Sequence, residues 1–84
     1  RALLDSGIIL YPNPANQNVN ISVTQASGNA NVSIFDINGR LIITKEISLD
    51  TTTSLDVSQV TSGVYLVQVT AQEGFIKTTK LIIQ

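Results

Sequence analysis

Catalysis requires nucleophiles, bases or metal ligands, and the chain has few of them. It carries no His and no Cys in 84 residues. It therefore lacks Ser–His and Cys–His nucleophile pairs and the usual ligands of zinc, haem and iron–sulfur sites. The carboxylates are Asp5, Asp36, Glu46, Asp50, Asp56 and Glu73. Their spacing puts no two on one face of neighbouring strands, as the paired acids of glycoside hydrolysis would need. They read as solvated turn and edge charges. Asp50 to Asp56, with Thr and Ser between, offers too few closely spaced oxygens for a calcium loop. Asn20-Ile21-Ser22 and Asn31-Val32-Ser33 match the glycosylation acceptor pattern. Both fall in segments that read as strands, and chance matches are common in a chain rich in Asn and Ser. The sequence predicts no catalytic residue, no metal and no cofactor.

Composition narrows the class further. Apolar residues make up 43% and charged residues 13%, which excludes a disordered tail. Five Lys and Arg against six Asp and Glu, with four aromatic rings, argue against a nucleic-acid partner. No apolar run approaches the ~18 residues of a membrane span. The length suits one domain. With no Met and Arg1 first, the chain reads as a piece of a longer protein. Residues 1–6, where Asp5-Ser6 separates Leu3-Leu4 from the first apolar run, read as linker from that parent.

Ile, Val and Thr together supply 28 of the 84 residues. Such side chains favour strands, and turn signals fall between apolar runs at regular intervals. Gly7 to Tyr11 is stopped by Pro12-Asn13-Pro14, whose prolines cannot donate to a ladder and bias their predecessors toward extended backbone. Val19, Ile21 and Val23 alternate with polar residues, a half-buried strand. A turn at Gln25 to Asn29 precedes a strand from Ala30 to Ile37. Asn38-Gly39 marks a hairpin. A two-residue turn there puts Ile34 opposite Ile43, and a three-residue loop with a glycine bulge puts it opposite Ile42. The return strand runs from about Arg40 to Ile47. Leu55 and Val57, then Val64 to Thr70, then Phe75 to Ile83 after a turn at Gln72-Glu73-Gly74, complete seven strands. Seven short antiparallel strands, each with one polar face, predict an all-β, immunoglobulin-like Greek-key sandwich.

Two features admit two readings each. Tyr65 is a core wall whose hydroxyl reaches the rim, or a recognition residue at the start of its strand. The terminal Lys80-Leu81-Ile82-Ile83-Gln84 is a strand tied down by its ladder, or an edge that a partner's sheet can extend. Such an edge would also allow self-association.

The order of blocks resembles a known family. Tyr11-Pro12-Asn13-Pro14-Ala15 is followed by Val19-Asn20-Ile21 and Val32-Ser33-Ile34-Phe35-Asp36. Then come Asn38-Gly39-Arg40-Leu41-Ile42, Gly63-Val64-Tyr65-Leu66-Val67 and Lys80-Leu81-Ile82-Ile83-Gln84. This sequence is similar to the C-terminal sorting domains of the type IX (Por) secretion system of Bacteroidetes, over about residues 8–84. The resemblance implies an immunoglobulin-like domain at residues 7–84, with no catalysis of its own, fused to an N-terminal cargo. It implies delivery of that cargo across the outer membrane by a translocon and shuttle proteins. Often a sortase-like cysteine protease then removes the domain and leaves the cargo at the cell surface. The family's signature elements fall on Pro12, Asn13 and Pro14, on Gly39, Arg40 and Leu41, and on Lys80, Leu81, Ile82 and Ile83. Gly63 and Tyr65 open another shared block. Arg40 and Lys80 stand out as contact residues, whereas Gly39, Gly63 and Gly74 fit turns.

Two other classes compete. A carbohydrate-binding or fibronectin-like accessory module would expose a row of rings for sugar stacking, and Tyr11, Phe35, Tyr65 and Phe75 are few. A structural stalk or adhesin repeat would occur in tandem copies in the parent.

Overall fold

Stiff β-branched side chains dominate seven strands: β1 (Ile8–Tyr11), β2 (Asn18–Val23), β3 (Asn29–Asp36), β4 (Leu41–Ser48), β5 (Thr53–Asp56), β6 (Gly63–Ala71) and β7 (Ile76–Ile83). The computed structural model describes residues 7–24, 28–72, 74 and 76–84, and there is no helix among the described residues. The linker assigned to residues 1–6, the first three residues of the Gln25–Asn29 turn, Glu73 and Phe75 lie outside them. Paired strands run antiparallel, in a three-stranded sheet of order β1-β2-β5 and a four-stranded sheet of order β4-β3-β6-β7. The all-β class and the seven expected strands are both present.

Alternation along the strands builds one core between the two sheets. Ala30, Val32 and Ile34 of β3 are buried, as are Tyr65, Val67, Val69 and Ala71 of β6. Val19, Ile21 and Val23 of β2 and Leu55 of β5 belong to the same cluster. No polar or charged residue is buried among the described residues. The core therefore rests on aliphatic packing, at about 1.5–3 kcal/mol for each fully buried Val, Leu or Ile.

The β3–β4 hairpin combines the two expected registers. Its tip is a three-residue loop: the Asp36 N–H donates to the Arg40 carbonyl at 3.0 Å, and Phe35 faces Leu41. The ladder then shifts by one residue, and Ile34 faces Ile43. Ile42 is the extra residue of this bulge. Both Ile42 and Ile43 pack against the core, so the bulge turns two consecutive isoleucines the same way. Lys45 lies opposite Val32 and so faces the inner side, yet it is exposed. A bulge and an inward charge on an edge strand both oppose pairing with a second sheet.

Gly39 occupies the left-handed region with φ 86°, and a Cβ built there meets no atom within 4 Å. Substitution at this position therefore reports backbone conformation alone. Gly39→Val should cost about 1–3 kcal/mol, and Gly39→Asn clearly less, because Asn tolerates this region. Chemical denaturation checks both values. An unchanged midpoint for the valine variant would mean that the hairpin closes equally well with another turn.

Candidate functional site

Proline cannot donate a backbone hydrogen bond, so the Pro12-Asn13-Pro14 segment bonds through its central side chain. The Asn13 Nδ2 group donates to the Lys80 carbonyl at 3.1 Å. Its Oδ1 accepts the Ile82 N–H at 3.0 Å. Next to it, the Ala15 N–H donates to the Ile82 carbonyl at 2.7 Å, and the Gln84 N–H donates to the Ala15 carbonyl at 2.8 Å. Ala15 forms a parallel bridge with Ile83 and is fully buried. Asn13 thus imitates a strand residue, offering one donor and one acceptor. A carboxylate would offer only acceptors to the Lys80 carbonyl. The segment does not run extended as its prolines suggested: residues 12–14 bend, and the Tyr11-Pro12 and Asn13-Pro14 peptide bonds are both cis.

This latch changes how the terminal strand can be read. Alternate residues of an antiparallel strand point both backbone groups to the same side. At the end of β7 that outer side belongs to Lys80, Ile82 and Gln84, and Asn13 and Ala15 hold the Lys80 carbonyl, both Ile82 groups and the Gln84 N–H. An added strand would first have to displace the Pro12–Pro14 block.

The signature residues divide by direction. Tyr65, Leu81 and Ile83 are buried, at 7%, 0% and 2% exposure, so their side chains touch no partner while the domain is folded. The Tyr65 hydroxyl donates to the Thr61 carbonyl at 2.5 Å, which ties β6 to the turn before it. The ring thus serves the core and the rim together. A Cβ on Gly63 would stand 3.6 Å from that ring. Lys80 and Ile82 face the opposite way, onto the outer face of the four-stranded sheet. Gly39 and Arg40 sit at the hairpin tip on the same sheet.

Arg40 is held by a residue that sequence reasoning passed over. Asp36 Oδ1 accepts the N–H groups of Asn38 and Arg40, both at 2.9 Å. Its other oxygen lies 3.3 Å from Arg40 Nε. The Arg40 backbone N–H, helped by that of Asn38 and by the guanidinium, holds the Asp36 carboxyl below the usual carboxylate range against a smaller opposing effect of burial. The available signal was an Asp two residues before Asn38, the spacing at which Asp bonds its own backbone. Asp56 behaves similarly: the Ser58 hydroxyl, then the Ser58 N–H, lowers its pKa. Asp50 accepts a hydrogen bond from the Ser48 hydroxyl. These carboxylates brace their own turns.

The comparisons with known proteins bear on the same residues. A family model described as "Secretion system C-terminal sorting domain" matches residues 9–84. That span includes the latch, the hairpin and the terminal strand. An endo-acting ulvan lyase of Formosa agariphila is 32% identical over 83 residues, covering 99% of this chain. The chain spans only 16% of the length of that relative.

Two outcomes follow for the latch and the hairpin. Asn13→Ala removes two exposed hydrogen bonds and should destabilise the domain by about 1 kcal/mol, near the low end for such bonds. Asn13→Asp should be no better, since it keeps the acceptor but loses the donor; thermal unfolding checks both. For Asp36 the folded pKa lies below the ordinary carboxylate value. Its contribution is complete above the unfolded pKa and is lost as pH falls through the folded one. Asp36→Asn should therefore flatten the loss of stability below about pH 4, measured by urea unfolding across that range. An unaltered pH profile would mean that the Asp36 bonds contribute nothing to folding.

Proposed function

Because the chain belongs to the secretion system C-terminal sorting domain family, it is a C-terminal secretion signal of the type IX system, and we propose that it acts as a folded label. Its destination is export across the outer membrane, to secretion or to the cell surface. The observation that carries the folded-label reading is the Asn13 latch. The bonds from Asn13 to Lys80 and Ile82 join residues 67 and 69 positions apart. The first and last signature blocks are thus parts of one structure, which a linear tail of the last few residues cannot reproduce.

Within this reading the domain comprises residues 7–84 and residues 1–6 lead to the cargo. The strand orders β1-β2-β5 and β4-β3-β6-β7 support an immunoglobulin-like Greek-key sandwich. Support also comes from Tyr65, near the start of β6, bonding back to Thr61 as a tyrosine corner does. Catalysis belongs to the cargo. The partners proposed are the translocon, its shuttle proteins and a sortase-like cysteine protease that removes the label. Of the signature set, Asn13, Arg40, Lys80 and Ile82 present groups at the surface or in the latch. Pro12, Pro14, Gly39, Gly63, Tyr65, Leu81 and Ile83 shape the scaffold.

A sugar-binding role has less support. Tyr11 is exposed on the small sheet, Phe35 is half-buried on the large one, and Tyr65 is in the core. These rings form no row on which a glycan would stack.

A reporter fused to the full chain should reach the medium or the cell surface of a host with a type IX system. The same reporter carrying only residues 76–84 should stay in the periplasm. Equal export of the two fusions would show that the signal is linear, and cell fractionation with immunoblotting decides.

A further inference from the structure

The outer face of the four-stranded sheet carries a cluster that folding leaves in water. A water-facing side of an antiparallel sheet is ordinarily polar. Yet Leu66, Val64 and Leu41 are apolar there and stay 44%, 45% and 50% exposed. Phe35 and Ile82 are half-buried beside them. The register makes the group contiguous. Leu41 faces Phe35, Phe35 faces Leu66, Leu66 faces Lys80, and Val64 faces Ile82. Four neighbouring strands make that row about 14 Å wide. The other half of the same face is mostly polar, with Ser33, Thr44, Gln68 and Thr78, and Ile76 stands alone at its far corner.

Charge on the apolar half of this face is confined to one residue. Lys80 ends the row and makes no ion pair among the described residues. At the other end Arg40, next to Leu41, turns to the opposite side of the sheet, where it pairs with Asp36. Asp36 is committed to Arg40 and lies opposite the inward-facing Tyr65. Glu46, opposite Asn31, is at the polar end of the face.

We infer that this apolar face, with Lys80 at its edge, is where the domain docks on a protein partner whose own apolar patch carries a carboxylate to meet that lysine. The inference rests on the secretion-signal reading, which makes that partner a component of the export machinery. A second copy of the chain fits poorly, because its own apolar half offers no carboxylate to meet Lys80. A lipid surface fits poorly too, because the face has none of the Trp and Tyr that anchor proteins at membrane interfaces. Strand addition at residues 80–84 is blocked by the latch. The face remains accessible while the domain stays folded.

The test uses a reporter fused to the full chain, in a host with a type IX system. Leu41→Thr with Leu66→Thr should reduce export at least tenfold while the isolated chain keeps its unfolding midpoint. Lys80→Glu should also reduce export, Lys80→Arg should not, and Gln68→Ala at the polar end should have no effect. Should the double variant lose its fold, Lys80→Glu decides alone, since a surface charge change hardly affects folding. Normal export of folded Lys80→Glu, or of a folded double variant, overturns the docking face but leaves the secretion reading standing. Failure of the unmodified fusion to be exported overturns that reading and the inference with it. Sedimentation showing a dimer that the double variant abolishes would assign the face to self-association and overturn the inference. Binding to phosphatidylglycerol–phosphatidylcholine vesicles that the double variant abolishes would assign it to lipid, with the same consequence.

Discussion

An amide side chain between two prolines holds the last strand of the larger sheet. Asn13 donates a hydrogen bond to the Lys80 carbonyl and accepts one from the Ile82 N–H, and Ala15 continues the contact as far as Gln84. The segment leaves β1 of the small sheet, touches β7 of the large one and returns to β2 of the small one. It therefore joins the two sheets along one side of the core. β7 presents these partners in register only when it is aligned on β6, and β6 in turn needs β3. The latch can close only after the distant parts of the chain have met, the entropically costly step for non-local contacts.

The edges of the larger sheet are guarded by different means. At β7, residues 80–84 are covered by the latch. Nearer its start, Lys77 faces the inner side opposite Val69 and lies by Gly7. At β4, the bulge at Ile42 and the inward Lys45 do similar work. Inward charges and bulges are known protections against edge-to-edge aggregation. A domain that must meet a partner specifically gains from having few edges open to unspecific pairing. The outer face of that sheet keeps apolar area that folding does not bury.

Much of the fold was legible because strands declare themselves by alternation. Val19, Ile21 and Val23 marked β2 without ambiguity, and Asn38-Gly39 placed a hairpin that is present. The register there was not legible, because a three-residue loop and a later bulge cancel each other. Local turn chemistry sees the loop and the apolar pattern sees the sum. The latch was invisible for a different reason: Asn13 acts across the length of the chain, and nothing near it in sequence names Lys80 or Ile82. Asp36 was legible in principle, from its spacing to Asn38. Reading it only as a solvated charge missed the backbone N–H groups that donate to it.

The terminal block shows why sequence motifs blur structural and recognition roles. In Lys80-Leu81-Ile82-Ile83, odd-numbered residues bury their side chains and turn their backbone groups to β6. Even-numbered residues turn their side chains to the outer face and their backbone groups to the latch. One short run thus meets four demands at once. Replacing Leu81 by Ala opens a cavity and costs about 2–5 kcal/mol, a large fraction of the stability of a small domain. Export lost in that way says nothing about contact. At Lys80 the side chain serves no core and no ion pair, while its carbonyl serves the latch whatever the side chain. Side-chain recognition and folding are therefore separable at that position, and the exposed face can be interrogated there without disturbing the scaffold that presents it.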